Sequence, residues 1–397
     1  MHIGVLSDPS HFHTQKWVKG LREAGARVTV FSFSPYRLPD VPCVQIVPRY
    51  TWRGRITYAS YLFSGDRLAR ALRAAAIDVL NPINVTPYGV WAAGSGFRPV
   101  ASIAMGADIL EYPPPRYAAS RVTRTWESRG ARGPIQYLLD TGKRVCFRQA
   151  VKWALHKADL VTGDNRVLTE AVTAWFGIPP ERVKLNRWGV EPELFVPRPD
   201  RIAWLREKLQ LPEGSLVVLS PRGLKPVYQA DIILDAFERL LPDLPAHVIL
   251  VALTAGYTPA PALAAQARRM EATWSNFRVV WEVLDRTDMC QLWNLTQVMI
   301  NIPAYDGYSN ALSEARYLGV IPVVNRIPAH EEIVVHEETA WITDPADADT
   351  LAEDLHRIIL NPTRFQTRYH PANEAWIRHE ALLRQNAHRF VEDCKSL

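Results

Sequence analysis

Cysteine is scarce in this 397-residue sequence: there are four, and none forms a CxxC pair or stands at metal-ligand spacing from another. No unbroken apolar run approaches the ~18 residues that a membrane-spanning helix needs. Met1 leads directly into the strand-like segment His2–Leu6, so no signal peptide is expected. These absences argue against a disulfide-stapled, zinc-binding or membrane-spanning protein and favour a reduced, cytoplasmic one.

The common cofactor signatures are missing as well. The turn Ser7–His13, after the first predicted strand, has no GxGxxG, which argues against a nicotinamide or flavin dehydrogenase. A GxxxxGK[ST] loop, typical of nucleotide hydrolases, is also absent. The net charge is +5 without a basic helix or a nucleic-acid module. We therefore expect a phosphate-bearing ligand or an anionic membrane surface as the partner, and no nucleic acid.

What the sequence does contain is globular composition, with 48% hydrophobic and 22% charged residues, over a length that predicts two domains. Short β-branched runs alternate with helical patterns in both halves, and such crossover helices predict parallel sheets. The predicted strands of the first half are His2–Leu6, Arg27–Phe33, Asp78–Leu80, Val100–Ala104, Leu160–Thr162 and Val183–Asn186. Those of the second half are Leu216–Leu219, Val248–Ala252, Val279–Val283, Val298–Ile302 and Ile321–Val324.

A segment rich in proline and glycine, Gly189–Asp200, is typical of a linker between the halves. The last segment, Asn373–Cys394, is helical again and lies beyond what the second sheet requires. We therefore predict an α/β fold of two doubly wound Rossmann-like domains, residues 1–195 and 196–372, facing each other across a cleft. Open sheets of this type bind ligands at the carboxyl ends of their strands, so the cleft is the expected site.

Two carboxylates separated by seven residues, Asp306 and Glu314, span a loop and the start of a predicted helix. Asn310 is the predicted cap of that helix, which would direct the following N–H groups toward an anion. Glu314, one turn into the helix, is placed to accept both hydroxyls of a ribose; the alternative is a capping asparagine followed by a solvated glutamate. The other residues of this element that we predict to contact the ligand are Gly307, Asn310, Ala311 and Leu312.

A second element, Ser220–Tyr228, follows the predicted strand Leu216–Leu219 directly. It puts Arg222 and Lys225 at the carboxyl end of a strand, where a pyrophosphate would lie. A departing diphosphate gains negative charge, and fixed arginine and lysine donors stabilise that charge in the transition state. Taken alone, this pattern is better explained by two surface cations in a turn.

Three elements follow one another in the second half: Arg-x-x-Lys, then two acids separated by seven residues, then the strand Ile321–Asn325 after Gly319. This order resembles the C-terminal domain of the family-four retaining glycosyltransferases of the GT-B fold, also called glycosyl transferases group 1. Ala158–Thr162 and Arg187–Pro197 resemble the stretch before the linker in that family, and Ser7–Trp17 is similar to one of its branches. The similarity covers nearly the whole chain apart from residues 111–157.

The resemblance implies that Glu314 binds the ribose of a nucleotide-sugar donor and that Asp306 holds sugar hydroxyls. It implies that Arg222 and a neighbouring cation bind the diphosphate, with no metal ion and no cofactor other than the donor as co-substrate. Residues 373–397 would return to the first domain, which binds the acceptor. Val283, at the end of a predicted strand, completes the donor-binding set.

The sequence departs from the family pattern at several positions. The first acid is Asp306 where the family has glutamate, and Tyr228 stands where the family has its phosphate-binding lysine, so either Lys225 or Tyr228 fills that position. Asp108 replaces a first-domain histidine that contacts the sugar, and His13 faces the acceptor or simply begins a helix.

Residues 111–157 are rich in arginine and lysine with interleaved aromatics, which suits either a solvated helical insertion or peripheral contact with the inner face of a membrane. The predicted function is therefore transfer of a hexosyl group from a UDP-sugar, with GDP-mannose second, to an acceptor that is a small molecule, a glycan or lipid-linked. The alternatives are a nucleotide-sugar 2-epimerase on the same fold and a nucleotide-sugar-binding protein without turnover.

Overall fold

The computed structural model describes residues 1–110 and 134–397 and divides them into two compact units. The first comprises Met1–Trp188 with Leu383–Leu397, and the second Gly189–Leu382. The sequence-based boundaries, at residues 195 and 372, differ from these: Val190 and Phe195 at one end, and Ile377 and Ala381 at the other, are buried in the core of the second unit. Of the basic segment 111–157, residues 111–133 lie outside the described residues, and the remainder is a helix.

The described residues of the first unit form two parallel sheets. The strands are β1 (His2–Leu6), β2 (Arg27–Ser32), β3 (Cys43–Gln45), β4 (Val79–Pro82), β5 (Ala101–Ala104), β6 (Leu160–Gly163) and β7 (Val183–Leu185). One sheet has the order β3-β2-β1-β4, and the other has the order β5-β6-β7. Single parallel bridges, Leu80 to Val100 and Ile83 to Ile103, join β4 to β5. The helices are Phe12–Glu23, Tyr58–Leu62, Gly65–Ala74, Val90–Ser95, Gly106–Leu110, Pro134–Lys157, Arg166–Phe176 and Leu383–Lys395.

The second unit is built on one six-stranded parallel sheet. Its strands are β8 (Leu216–Ser220), β9 (Val248–Leu253), β10 (Phe277–Val280), β11 (Val298–Asn301), β12 (Ile321–Asn325) and β13 (Trp341–Thr343). They are arranged in the order β10-β9-β8-β11-β12-β13. The helices are Pro199–Lys208, Ala230–Leu240, Pro261–Thr273, Arg286–Asn294, Asn310–Tyr317, Pro328–Glu331, Ala348–Leu360 and Pro362–Glu380.

Buried clusters cover both faces of this six-stranded sheet, because successive side chains of a strand point to opposite faces. Val218 packs into one cluster and its neighbours Val217 and Leu219 pack into the other. The strand order reverses between β8 and β11, which makes this pair the topological switch point. Loops after β8 and β11 are therefore where a ligand of this unit is expected.

The structure corrects two predicted elements. The strand predicted at Val279–Val283 ends at Val280, and the predicted helix Asn373–Cys394 is broken at Ala381 and Leu382. At this break, the Ala381 carbonyl accepts a hydrogen bond from the Val190 N–H at 2.7 Å. Within the described part of the chain, no helix combines the length and apolar character needed to cross a bilayer.

Candidate active site

An ion pair bridges the two loops at the switch point of the second unit. Arg222 follows β8, Asp306 follows β11, and the Arg222 guanidinium donates from Nη1 to Asp306 Oδ2 at 2.8 Å. The same Nη1 donates to Ser309 Oγ at 3.1 Å. Asp306 Oδ1 accepts the N–H of Gly307 at 2.9 Å, which fixes the carboxylate in the tight turn. Two residues predicted at this edge from sequence are thus brought into direct contact.

The surroundings of Arg222 keep its guanidinium protonated. Burial by itself would lower its pKa, but the Asp306 carboxylate and the Tyr228 hydroxyl raise the pKa of Arg222 above its ordinary value overall. The guanidinium also lies over the Tyr228 ring, 4.2 Å from the centroid. A cation held by the Asp306 carboxylate, the Ser309 hydroxyl and the Tyr228 ring face is pre-oriented, as a charge-stabilising group should be. Its field toward a ligand is reduced, however, because Asp306 carries the opposite charge.

Lys225 lies in the same loop but faces a different neighbour. Its ammonium is 3.0 Å from the centroid of the Tyr257 ring, in the loop after β9. The ring of Tyr228, at the position of the family's lysine, packs against the Arg222 guanidinium. Between the two open candidates, Lys225 is the one that carries a positive charge at the strand edge.

The start of the helix Asn310–Tyr317 differs from the prediction. The cap is Ser309, not Asn310: Ser309 has extended backbone, and its Oγ accepts the N–H of Leu312 at 3.3 Å. The Leu312 N–H, predicted to face an anion, is directed at this hydroxyl, and the Leu312 side chain is buried in the core. Asn310 is the first helical residue, and Ala311 lines a pocket beside it.

A pocket of about 240 Å³ opens at the carboxyl ends of β8, β9 and β10. Its wall is mostly apolar with two carboxylates, a composition typical of a small-molecule site. Val283, which the sequence assigned to the donor, lies in the loop after β10 and is 70% exposed. The lining residues are Pro221, Leu253, Ala255, Val280, Glu282, Val283, Leu284, Met289, Trp293, Ala311 and Glu314.

Glu314 lies in this wall as a buried carboxylate with two fixed contacts. Its Oε1 is 2.8 Å from Arg286 Nη2, and its Oε2 accepts the Trp293 indole N–H at 3.1 Å. Arg286 in turn lies 3.6 Å from Glu191. Burial would lower the pKa of Arg286, but the Glu314 and Glu191 carboxylates raise it overall, so the guanidinium stays charged. An ionised carboxylate offers about four lone-pair sites, so about two of Glu314 remain for a ligand.

Arg286 was not identified from the sequence, although a signal for it exists. Residues three, four and seven positions apart share one face of a helix. In the helix Arg286–Asn294 this spacing relates Arg286, Met289 and Trp293, of which the last two line the pocket and the last donates to Glu314. Asp285 caps the helix by accepting the Asp288 N–H at 2.8 Å, which places Arg286 at the first turn.

A buried histidine lies near the Arg222–Asp306 pair. Burial lowers the pKa of His330, so the ring is neutral at physiological pH. Its Nδ1 is 3.0 Å from the Asn325 carbonyl and its Nε2 is 3.1 Å from the Asn301 amide nitrogen. A neutral ring that donates to the carbonyl and accepts from the amide satisfies both contacts.

The predicted residues of the first unit have separate surroundings. Asp108 is buried and accepts four hydrogen bonds: from the Val85 N–H at 2.8 Å, the Thr86 N–H at 3.3 Å, the Thr86 hydroxyl at 2.9 Å and the Met105 N–H at 3.2 Å. These donors fill its acceptor capacity, so Asp108 holds the loop after β4 and has no oxygen left for a sugar hydroxyl. Burial nevertheless raises the pKa of Asp108 to about 6.

His13 lies in the first turn of the helix Phe12–Glu23, with its ring 5.4 Å from that of Trp188. This aromatic contact is compatible with either of its two predicted roles. Across residues 1–110 and 134–397, no group of three or more histidines, cysteines and acids is arranged to hold a metal ion.

Two family models match the chain. One, described as glycosyl transferase 4-like, matches residues 2–165, and the other, glycosyl transferases group 1, matches residues 202–376. The two matches lie in the first and second halves and together span most of the sequence. A search of curated protein sequences gives no significant match.

Several solved structures resemble the chain over its whole length. HepE from Anabaena, solved with UDP-glucose, has a TM-score of 0.75 at 17% identity, with 100% of both chains covered. Sucrose-phosphate synthase from Thermosynechococcus elongatus has a TM-score of 0.75 at 15% identity, covering 100% of this chain and 98% of that one. A UDP-forming α,α-trehalose-phosphate synthase from Burkholderia xenovorans has a TM-score of 0.69 at 16% identity, with 100% of both covered. At these identities the likeness shows the fold, GT-B.

Proposed function

The chain belongs to the group 1 glycosyltransferases, and we propose that it transfers a hexosyl group from a nucleotide sugar to a hydroxyl acceptor with retention of anomeric configuration. The observation that carries the proposal is the position of Glu314 in the wall of an apolar pocket at the strand ends of the second unit. Its carboxylate has two contacts within the protein and about two further lone-pair sites for a ligand. The base would enter the pocket, and the two ribose hydroxyls would donate to Glu314. UDP is the favoured nucleotide, with GDP second.

The diphosphate would extend from Glu314 toward the loops after β8 and β11. In the reaction, the bond from the anomeric carbon to the diphosphate oxygen breaks, and the acceptor oxygen bonds to the same face of the sugar. The acceptor's proton passes to the leaving phosphate. Arg222 and Lys225 supply positive charge to that leaving group, and Arg222 is fixed in advance by Asp306 at 2.8 Å.

Support for UDP comes from relatives of the same fold: HepE was solved with UDP-glucose, and the trehalose-phosphate synthase is UDP-forming by name. Thermal-shift titration with UDP, GDP and ADP tests the base, because a ligand that binds only the folded state raises the melting temperature. Glu314→Gln should weaken UDP binding about tenfold or more, since a charged acceptor is lost. Glu238→Gln is the matched control, because that carboxylate of the second unit pairs with Arg269 at 3.4 Å and does not line the pocket.

Turnover is tested with the UDP-sugar that gives the largest thermal shift. Slow donor hydrolysis with retention at the anomeric carbon, followed by NMR, is the expected result. A protein that binds UDP tightly but never hydrolyses a donor would be a binding protein without turnover. Appearance of the 2-epimeric donor would instead favour the epimerase.

A further inference from the structure

An exposed apolar surface lies in the first unit, well away in sequence from the basic segment 111–157. Within residues 47–63 six large apolar side chains are exposed. Single exposed apolar residues are ordinary on protein surfaces, whereas a contiguous group marks a contact site. These six residues, called here the aromatic patch, are Val47 (67% exposed), Tyr50 (40%), Trp52 (58%), Ile56 (45%), Leu62 (45%) and Phe63 (56%).

Hydrogen bonds bring the two ends of this segment together. The Arg49 N–H donates to Ser64 Oγ at 2.9 Å, and Arg67 Nη1 donates to the Val47 carbonyl at 2.8 Å. The stretch around Val47 therefore runs beside Ser64, next to Phe63. The exposed side chains at the beginning and end of the segment thus belong to one surface.

The middle of the segment is a projecting turn. Trp52 and Arg55 exchange both backbone hydrogen bonds, at 3.0 and 2.9 Å, around Arg53 and Gly54, whose φ angles of 50° and 74° are left-handed. Such a two-residue turn is the tight hairpin connection. All residues from 51 to 56 are exposed. The tip therefore presents Trp52 to solvent with the Arg53 guanidinium 5.8 Å from its ring centroid.

The charge of this surface has one sign. Residues 47–63 contain three arginines and no acid. The following carboxylate, Asp66, is already engaged by Arg49 at 2.7 Å and by Arg70 at 3.6 Å. Among the residues that the structure describes, Arg53 and Arg55 have no ion-pair partner. The turn therefore carries two uncompensated positive charges beside a tryptophan.

We propose that the aromatic patch docks on an anionic lipid surface. Tryptophan and tyrosine favour the headgroup level of a bilayer, and arginine near an anionic surface gains about 1 kcal/mol per residue. A stable protein interface needs roughly 800 Å² of complementary surface on each partner, and a projecting turn offers little flat area. A fluid headgroup layer accommodates the tip directly, with Arg53 and Arg55 at lipid phosphates. The proposal is independent of the transfer reaction.

The test is co-sedimentation of the full-length protein with vesicles of phosphatidylcholine alone and of an equimolar mixture with phosphatidylglycerol. We expect binding to the anionic vesicles only. Arg53→Gln with Arg55→Gln should weaken it about 25-fold, about fivefold for each arginine. Trp52→Ser with Phe63→Ser should weaken it about tenfold or more, since partial burial of two aromatic side chains is lost.

Trp204→Ser is the matched control, because Trp204 is also an exposed tryptophan beside two cations, Arg201 and Lys208, but lies in the second unit. It should bind vesicles like the wild type, and all variants should keep the wild-type melting temperature. Wild-type protein that stays in the supernatant with anionic vesicles, or patch variants that still sediment fully, would overturn the proposal. So would a wild-type dimer, seen by light scattering, that the patch variants convert to monomers, because the patch would then join two copies of the chain.

Discussion

Replacing Arg286 with methionine tests whether the pocket carboxylate is held in place by its buried partner. Methionine keeps an unbranched apolar stem of similar reach but removes the charge. Glu314 would retain the Trp293 N–H at 3.1 Å and lose the guanidinium at 2.8 Å. Glu191, 3.6 Å from Arg286, would lose a partner too. Arg286→Met therefore leaves a buried carboxylate uncompensated.

Breaking one side of a buried ion pair costs about 3–5 kcal/mol. The Glu314 side chain is only 5% exposed but that of Arg286 is 23% exposed, so we expect the lower end, about 3 kcal/mol. For a unit of this size such a loss lowers the melting temperature by about 6–12 °C. Glu314→Gln should cost less, because Arg286 keeps Glu191 nearby. The double variant Arg286→Met/Glu314→Gln should lose at least about 1 kcal/mol less than the two single losses added together.

The assay pairs denaturant unfolding with calorimetric titration of UDP. Arg286→Met should weaken UDP binding about tenfold even below its melting temperature, because Glu314 is no longer oriented. Arg326→Met is the matched control: Arg326 pairs with Glu331 and Asp344, each at 2.6 Å, but its side chain is 47% exposed, so its loss should cost less than about 1 kcal/mol. Equal destabilisation in the two variants, together with wild-type UDP affinity in Arg286→Met, would refute the reasoning.

Three further predictions concern Arg222, the need for a metal ion and Asp108. Arg222→Ala should lower kcat about 10²–10³-fold with a smaller change in KM. A raised KM alone would instead mean that Arg222 binds the ground state and the transition state equally. A larger loss of kcat in Lys225→Ala than in Tyr228→Phe would assign the second phosphate contact to the lysine. Turnover should persist in excess chelator, and complete loss restored by manganese or magnesium would contradict this. Because burial raises the pKa of Asp108 from 3.8 to about 6, its ionisation opposes folding, and stability should fall by about 3 kcal/mol as the pH rises from about 4 through about 6. Asp108→Asn should abolish that pH-dependent component of the melting curve, and an identical pH profile in the variant would rule it out.

Sequence patterns predicted the strands best where each is a buried β-branched run bounded by turn residues. Five of the six strands in the second unit were placed within a few residues on this basis. β13, Trp341–Thr343, was missed, as was β3 of the first unit: three residues display little periodicity, although β7, of the same length, was predicted. The predicted terminal helix failed for another reason: its interruption at Ala381 depends on a hydrogen bond from Val190, which is distant in sequence. Local periodicity carries no information about such a contact.

The grouping of some of the predicted residues was predictable from the sequence. Glu314, Ala311 and Val283 line one pocket, and their binding of a donor stays a prediction. The partner of Glu314, Arg286, was not found because the pair joins two helices whose relative rotation the sequence does not display. The cap was misassigned by one position because serine and asparagine both cap helices well, and only the backbone geometry distinguishes Ser309 from Asn310.

Acceptor capacity and position together distinguish three of the acids predicted for the site. Asp108 accepts four hydrogen bonds from loop donors and is full. Asp306 is neutralised by Arg222 and anchored by the Gly307 N–H. Glu314 keeps about half of its lone pairs as well, but it does so in the wall of the pocket, where its orientation is fixed by Arg286 and Trp293. Replacement of Asp108 should therefore act on stability, replacement of Asp306 on the placement of Arg222, and replacement of Glu314 on the affinity for the nucleotide.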